Sequence, residues 1–347
     1  MSPTPLASPA QWGGTFLKQL TTVKPKQPKV TVGLDIGSSS VKAVALGSRK
    51  TSASRPVLGS RAVPLNETSE SEASSAIKDA ISPLHVSARH VNLSVSGQWV
   101  IMRVVEMPVL KTHELAQALP FEAQRYLPFN IQDVMLDGAI LGPAEKNKLW
   151  VLIVACKREL LERRIGWIKQ AGYEPALVDV DALAIMNAYG AHANGKKAAG
   201  AYALLNVGAQ WTNLIVVKSG VPYLVRDIPW GSVKLVRHMA ETLGLEEAPI
   251  AAQLKQEGPL PAEVLQSVKT TTESLTADLQ LSFDFFESRF GQPPDQLLVS
   301  GGLSRCPGFV EALKSHLAQP LAAWEPAAGL GSEFAVAYGL ALRSAES

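Results

Sequence analysis

Apolar runs and small polar punctuation alternate along this chain in a pattern that occurs twice. Val32-Gly33-Leu34-Asp35-Ile36-Gly37-Ser38-Ser39-Ser40-Val41-Lys42-Ala43-Val44 is an apolar strand, a polar tip and a second apolar strand. The same syntax returns at Leu204-Leu205-Asn206-Val207-Gly208-Ala209-Gln210-Trp211-Thr212-Asn213-Leu214-Ile215-Val216-Val217. In each, an Asp or Asn stands two positions before a glycine, and small or polar residues follow. Period-two alternation on both sides of a glycine-tipped turn predicts a tight hairpin.

Elsewhere the period lengthens. Residues 66–82 read as a helix with Ala73, Ile77, Ala80 and Ile81 on one face, and 157–171 as another that ends at Gly172. A helix over 111–127 is interrupted at Pro120 and stopped by Pro128, since proline removes a donor and crowds the preceding turn. A long helix spans roughly 262–290, with Leu275, Leu279, Phe286 and Phe290 on one side. Strands fall around Ser96-Gly97-Gln98, at 134–141 and 149–156, and at Leu297-Leu298-Val299-Ser300. Strands alternating with helices define an α/β protein with mixed sheets.

The polar stretches divide the chain. Residues 1–29, rich in Ser, Thr, Pro and Lys, form a basic tail expected to be disordered. Within it Trp12, Phe16, Leu17 and Leu20 lie at helical spacing, as a frayed helix or as a weak contact with a membrane or partner. A first half covers 30–200 and closes in a linker of Ala, Gly, Asn and Lys from Gly190. A second half covers 201–347 and contains a helical subdomain at about 240–290 and a closing helix.

Composition narrows the function. The chain has 347 residues, 46% of them hydrophobic and 18% charged, as in soluble globular proteins. Its net charge of +2 is carried by the tail, where Lys18, Lys24, Lys26 and Lys29 face no acid, so the body is slightly acidic. A basic nucleic-acid surface is therefore not expected. The two cysteines, Cys156 and Cys306, have no metal-ligand neighbours at useful spacing, which suits a reducing, cytosolic compartment. No apolar run reaches the roughly 20 residues that span a bilayer.

The tips carry the candidate chemistry. Asp35, Gly37, Ser38, Ser39, Ser40 and Lys42 form a first phosphate site, and Asn206, Gly208, Ala209 and Gln210 with Thr212 a second. Such turns present backbone N–H groups to phosphate oxygens, and an acidic residue before the turn can hold hydrated Mg²⁺. Ser300-Gly301-Gly302 follows a buried strand and lets a base or ribose approach the backbone, or is simply a strand-to-helix turn. Asp179 and Asp181 share one face of a strand end; they orient a water or metal shell, or Asp181 caps the next helix. Two small-residue helices, 182–189 and 334–342, can pack closely, either as a pair crossing between the halves or as plain internal packing.

Phosphate hairpin, connecting helix, second hairpin, Gly-Gly turn and closing helix, in this order, resemble the actin-like ATPase fold, with two related ribonuclease-H-like halves. The segments Met107-Pro108-Val109-Leu110, Phe121-Glu122-Ala123-Gln124-Arg125-Tyr126-Leu127-Pro128-Phe129 and Leu177-Val178-Asp179-Val180-Asp181 resemble the PilM family of type IV pilus assembly proteins. The resemblance implies an inserted FtsA-like subdomain at about 85–172. It also implies an ATP-binding scaffold at the cytoplasmic face of the inner membrane, with Mg²⁺ as cofactor. The implied partners are the N-terminal cytoplasmic peptide of PilN, PilO through it, and the pilus motor ATPases, with self-association open. Asp35 would meet Mg²⁺. Asp181, which opens the connecting helix, would lie near the metal and attacking water, as would Asn206. Gly208, Ala209 and Gln210 would cradle the β- and γ-phosphates, and Lys255 of the Leu254-Lys255 pair would approach the nucleoside. Gly301, Gly302 and Ser304 would border the adenosine, and Gly231 belongs to the same nucleotide-binding set.

Arg103, Gln124, Tyr126 and Phe129 are candidates for the peptide groove, with core packing the other reading of the two aromatics. The fold usually carries Asp where this chain has Asn206, so weak or absent hydrolysis is expected. An FtsA-like division protein, a type II secretion component and a small-molecule kinase of the superfamily are the alternatives.

Overall fold

The computed structural model describes residues 30–48, 55–65, 69–193, 200–256 and 258–343. The expectations for Trp12, Phe16, Leu17 and Leu20 lie outside the described residues. The chain forms two compact units. One takes the chain up to Ala191 together with the residues from Val336 onward, and the other is His192–Ala335.

The first unit is built on β1 (Val30–Ile36), β2 (Ser40–Gly47), β3 (Val57–Pro64), β4 (His90–Val95) and β8 (Glu174–Val180), in the order β3-β2-β1-β4-β8. The first three form an antiparallel meander, and β4 and β8 add in parallel. In β1, Val32, Leu34 and Ile36 are buried and alternate with Thr31, Gly33 and Asp35, so one face is apolar and the other small and polar. Helices α1 (Glu70–Ile81) and α3 (Arg158–Gln170) lie against each other, with Ile77 and Leu161 buried. Helix α1 starts behind Ser69, whose hydroxyl accepts from the Glu72 amide at 3.3 Å.

The small, polar face of β1 seats the closing helix, α9 (Ala335–Leu342). A side chain at Gly33 would overlap the Ala337 carbonyl, and one at Gly339 would overlap the Ala184 carbonyl of α4 (Asp181–His192). The hydroxyl of Thr31 donates to the Ala341 carbonyl, and the Asn92 amide donates to the Leu340 and Arg343 carbonyls at 2.8 Å each. The two small-residue helices therefore do pack tightly, but within the first unit. The closing helix, read from sequence as part of the second half, lies on the first unit's sheet from Val336 on.

Between β4 and β8 the chain makes a separate antiparallel sheet, β5-β7-β6, from β5 (Val100–Pro108), β6 (Val134–Ala144) and β7 (Lys148–Lys157). Helix α2 (Thr112–Ala123) covers one face, setting Leu115, Leu119 and Ala123 against Val105, Met107, Val151 and Ile153. The helix runs through Pro120 instead of breaking there, because these buried contacts outweigh one lost backbone hydrogen bond near its end. The inserted element is narrower than 85–172: β4 and α3, inside those bounds, belong to the main sheet and its helical layer.

The second unit repeats the first sheet's plan. Strands β9 (Ala201–Val207), β10 (Thr212–Lys218), β11 (Val221–Ile228), β12 (Gln296–Ser300) and β13 (Leu321–Ala323) run in the order β11-β10-β9-β12-β13, again a meander followed by two parallel strands. Helices α5 (Ser232–Leu243), α6 (Glu247–Gln253), α7 (Ala262–Phe290) and α8 (Phe309–Lys314) complete its core around Trp230, Leu275, Leu279, Phe283, Phe286 and Phe309. Helices α5 and α7 both stop at a left-handed glycine, Gly244 with φ +65° and Gly291 with φ +79°.

Candidate functional site

The two hairpin tips close in the same way. The Gly37 amide donates to the Ser40 carbonyl at 3.0 Å, and the Gly208 amide to the Trp211 carbonyl at 3.0 Å. The turns are tight enough that a Cβ would sit 3.1 Å from Ser40 O at Gly37 and 2.9 Å from Trp211 O at Gly208. The glycine N–H groups are thus spent on closing the turns. The amides of Ser38, Ser39, Ala209 and Gln210 make no backbone hydrogen bond among the described residues, and they are the donors each tip has to offer. Ser39 and Gln210 are exposed, and Ser38, Ser40 and Ala209 half-buried.

Behind the first tip, Asp35 and Lys42 face each other across β1 and β2, and the ammonium donates to Asp35 Oδ2 at 3.0 Å. Lys42 is thereby held as the countercharge of Asp35. Asp35 is buried, and its charge acts on Asp181 at the start of α4. Burial, then repulsion from Asp35, pushes the Asp181 carboxyl up, against hydrogen bonds from Ser94 and Ser96 and the charge of Arg164. Ser94 Oγ donates to Asp181 Oδ1 at 2.5 Å, and Arg164 Nη1 donates to the Ser94 carbonyl at 2.8 Å. Two carboxylates held close enough to repel suit a hydrated divalent cation, which takes one or two carboxylates and keeps several waters. Among the described residues no group of three or more His, Cys, Asp or Glu forms a metal cage.

Asp179 is not part of this pair. It is buried against Arg343, whose guanidinium donates to Asp179 Oδ2 at 2.7 Å, and Asp179 Oδ1 accepts from the Val180 amide at 2.8 Å. Burial pushes this carboxyl up, and Arg343 pulls it back. Its partner comes from just past the closing helix, so the reading of Asp179 as a water or metal ligand gives way to a structural one.

Behind the second tip the corresponding positions are Asn206 and Asn213. Asn206 Nδ2 donates to Asn213 Oδ1 at 3.0 Å, and Asn213 Nδ2 donates to Asp227 Oδ1 at 2.8 Å. These residues lie directly opposite one another across β9, β10 and β11. Gly231 lies under the tip, where a Cβ would overlap the Ala209 and Gly208 backbone. This lets the start of α5 donate from Ser232 to Gly208 O at 3.0 Å and from Val233 to Ala209 O at 2.9 Å. Gly231 therefore braces the tip.

The Gly-Gly turn splits its labour. Gly301 has φ +88°, and a Cβ there would overlap the Val207 backbone at the end of β9. Gly302 is exposed with open space above its Cα. Ser304 Oγ bonds to Gly301 O at 2.8 Å and Ser332 Oγ at 2.6 Å, which rigidifies the turn. Lys255 is exposed one position past Leu254, which is buried in the second unit's core.

In the inserted sheet, Arg103 is exposed on β5 and its charge reaches Tyr126, whose hydroxyl donates to Glu122 Oε1 at 3.0 Å. Tyr126 is half-buried against the α2 core, and burial first, then the Glu122 hydrogen bond, pushes its phenol up. Gln124 is exposed just past α2. Phe129 joins a different cluster, 5.9 Å from Trp99, with the Lys157 ammonium 4.4 Å from the Trp99 ring and 5.3 Å from the Phe129 ring. Sequence reasoning missed Ser94, Arg164, Asn213 and Asp227. Asn213 was within reach, because pairing within the hairpin sets it opposite Asn206 as Lys42 stands opposite Asp35.

Two units with one sheet plan, each ending its first hairpin in a glycine-closed tip, define an actin-like ATPase fold. Over residues 33–345 the chain matches the family described as Type IV pilus assembly protein PilM, and it belongs to that family. It is similar to a chain of the PilM–PilN type IV pilus biogenesis complex at 23% identity and TM-score 0.82, over 93% of this chain and 100% of that one. The ethanolamine utilization protein EutJ from Carboxydothermus hydrogenoformans is similar at 13% identity and TM-score 0.56, over 92% of both chains. Membership of a pilus-assembly family selects among the sequence-level alternatives, against a division protein or a small-molecule kinase. No helix among the described residues is long and apolar enough to cross a membrane.

Proposed function

We propose that this protein is an ATP-binding scaffold of the type IV pilus assembly complex. It works at the cytoplasmic face of the inner membrane, captures the N-terminal cytoplasmic peptide of a PilN partner and through it PilO, and communicates with the pilus motor ATPases. The observation that supports nucleotide binding most is the duplicated tip, with identical Gly37 and Gly208 closures and unspent amides on the next two residues. Asp35 and Asp181 of the first unit would hold the hydrated Mg²⁺, and Asn206 would offer a neutral oxygen at the second tip. Mg²⁺ supplies charge neutralisation for the triphosphate. Ser38, Ser39, Ala209 and Gln210 would bind phosphate oxygens, with Ser40 and Lys42 supporting the first tip. Gly302 and Lys255 would meet the nucleoside, with Gly301, Ser304 and Gly231 holding their turns. Arg103, Gln124 and Tyr126, with Phe129 at the Trp99 cluster, would take the peptide.

The second tip lacks a carboxylate at 206, so its contribution to ordering a metal-bound nucleophile is weak, and the protein binds ATP more than it turns it over. Nucleotide acts by favouring one conformation over another, which only differential affinity can do. The test is titration of purified protein with a fluorescent ATP analogue and Mg²⁺, followed by anisotropy of a labelled PilN N-terminal peptide with and without ATP. Saturable binding abolished by Gly208→Val, with peptide affinity that responds to ATP, is the expected result. Absence of nucleotide binding by the wild type refutes the proposal. Asn206→Asp is expected to raise phosphate release above the wild-type rate.

A further inference from the structure

The hydrogen-bond chain behind the second tip has a fixed polarity. A carboxylate only accepts, so Asp227 obliges Asn213 to turn its NH₂ towards β11 and its carbonyl oxygen towards Asn206. That oxygen in turn obliges Asn206 to turn its own NH₂ inward. Asn206 Oδ1 is then the atom left over, and it takes no hydrogen bond from the described residues. Behind the first tip, Lys42 only donates and holds Asp35 Oδ2, which leaves Asp35 Oδ1 on the side of Gly37. By different chemistry, both hairpins leave an acceptor oxygen at the residue two before the glycine. Acceptor oxygens repel phosphate oxygens and accept from water on a hydrated cation.

We propose that Asp227, acting through Asn213, is a positioning residue that holds Asn206 as an oxygen acceptor for water carried by Mg²⁺ with ATP. This rests on the nucleotide-binding reading above. It predicts that the second tip keeps a preference for Mg-ATP over metal-free ATP without any carboxylate at 206. Asn213→Lys reverses the polarity, because a lysine there donates both to Asp227 and to Asn206. The Asn206 NH₂ then becomes the free end. The double change Asn206→Asp with Asn213→Lys rebuilds the first tip's Asp–Lys pair, with Asp227 standing where the first unit has Ala62.

The experiment measures ATP affinity in Mg²⁺ and in EDTA for the wild type, Asn213→Lys, the double variant and the isosteric Asp227→Asn. The preference for Mg²⁺ is expected to fall about five- to tenfold in Asn213→Lys, an ordinary net hydrogen bond's worth, and to return in the double variant. Asp227→Asn should lower it less, since its amide can still present an oxygen. An unchanged preference in both single variants overturns the positioning role while leaving nucleotide binding intact. No ATP binding by the wild type overturns both readings. A ligand-free readout stands beside these: in ¹⁵N spectra the Asn206 side-chain amide should move together with that of Asn213 when Asp227→Asn is introduced. An unmoved Asn206 signal overturns the relay.

Discussion

Removing Arg343 should cost the first unit more than any exposed ion pair could. Its guanidinium and the Asp179 carboxylate are 5% and 1% exposed and 2.7 Å apart. Arg343→Met keeps most of the aliphatic stem, and the Arg343 backbone carbonyl still accepts from Asn92. What goes is the one countercharge that this buried acid has among the described residues. Breaking such a pair from one side destabilises by about 3–5 kcal/mol, because the remaining charge is left desolvated. Removing both sides, as in Asp179→Leu with Arg343→Met, should cost far less, since an apolar pair of similar volume replaces a desolvated one.

The pH dependence has a definite sign. Burial already pushes the Asp179 carboxyl up, and without Arg343 nothing equivalent opposes it. A folded pKa above the unfolded one means a contribution that is intact at low pH and lost as pH rises through the folded value. The Arg343→Met deficit should therefore be largest at neutral pH and shrink as the pH falls towards the ordinary carboxylate range. Urea unfolding of the wild type, Arg343→Met and the double variant at pH 7 and pH 5 reads this directly. A deficit below about 1 kcal/mol, the size of a surface pair, or one unchanged between the two pH values, would refute the reasoning.

Gly301→Ala should lose about 1–3 kcal/mol of stability, because its positive φ and the Val207 backbone leave no room for a methyl group. Gly302→Ala should change stability by less than about 0.5 kcal/mol yet weaken ATP binding; differential scanning fluorimetry with and without ATP separates the two. Burial holds the Cys156 thiol up at about 12 and the Cys306 thiol up at about 11. Both should resist a thiol-reactive disulfide reagent at pH 8 in the folded protein and react at once in denaturant. Fast labelling of either thiol under native conditions would contradict the packing described around it.

Local pattern carried much of this architecture. Alternating apolar residues around Gly37 and Gly208 specify the hairpins, and the helical spacing of Leu275, Leu279, Phe286 and Phe290 specifies α7, because those periods are properties of strand and helix geometry. Where contacts are distant, the pattern misleads. Asp179 beside Asp181 looks like half of a paired acid site, but its partner is 164 positions away in the chain. Pro120 looks like a helix break until the buried Leu115, Leu119 and Ala123 are seen to hold the helix on its sheet. The insertion starts later than the local pattern suggests, because a short turn links β4 to β5 and nothing local says that the two strands enter different sheets.

The two hairpins with their glycine-tipped turns and the long helix were legible from short-range spacing and residue type, while β3, β11, β13 and α6 were not, and the family was legible only as a resemblance carried by segments such as residues 121–129. Only tertiary structure decided that the closing helix belongs to the first unit, with Gly33 and Gly339 clearing its path. It also decided which acid stands near Asp35, and that Asp227 governs the amide of Asn206. The physical reason is the same each time. A hydrogen bond or a buried charge acts over about 3 Å of space, and sequence spacing measures distance along the chain.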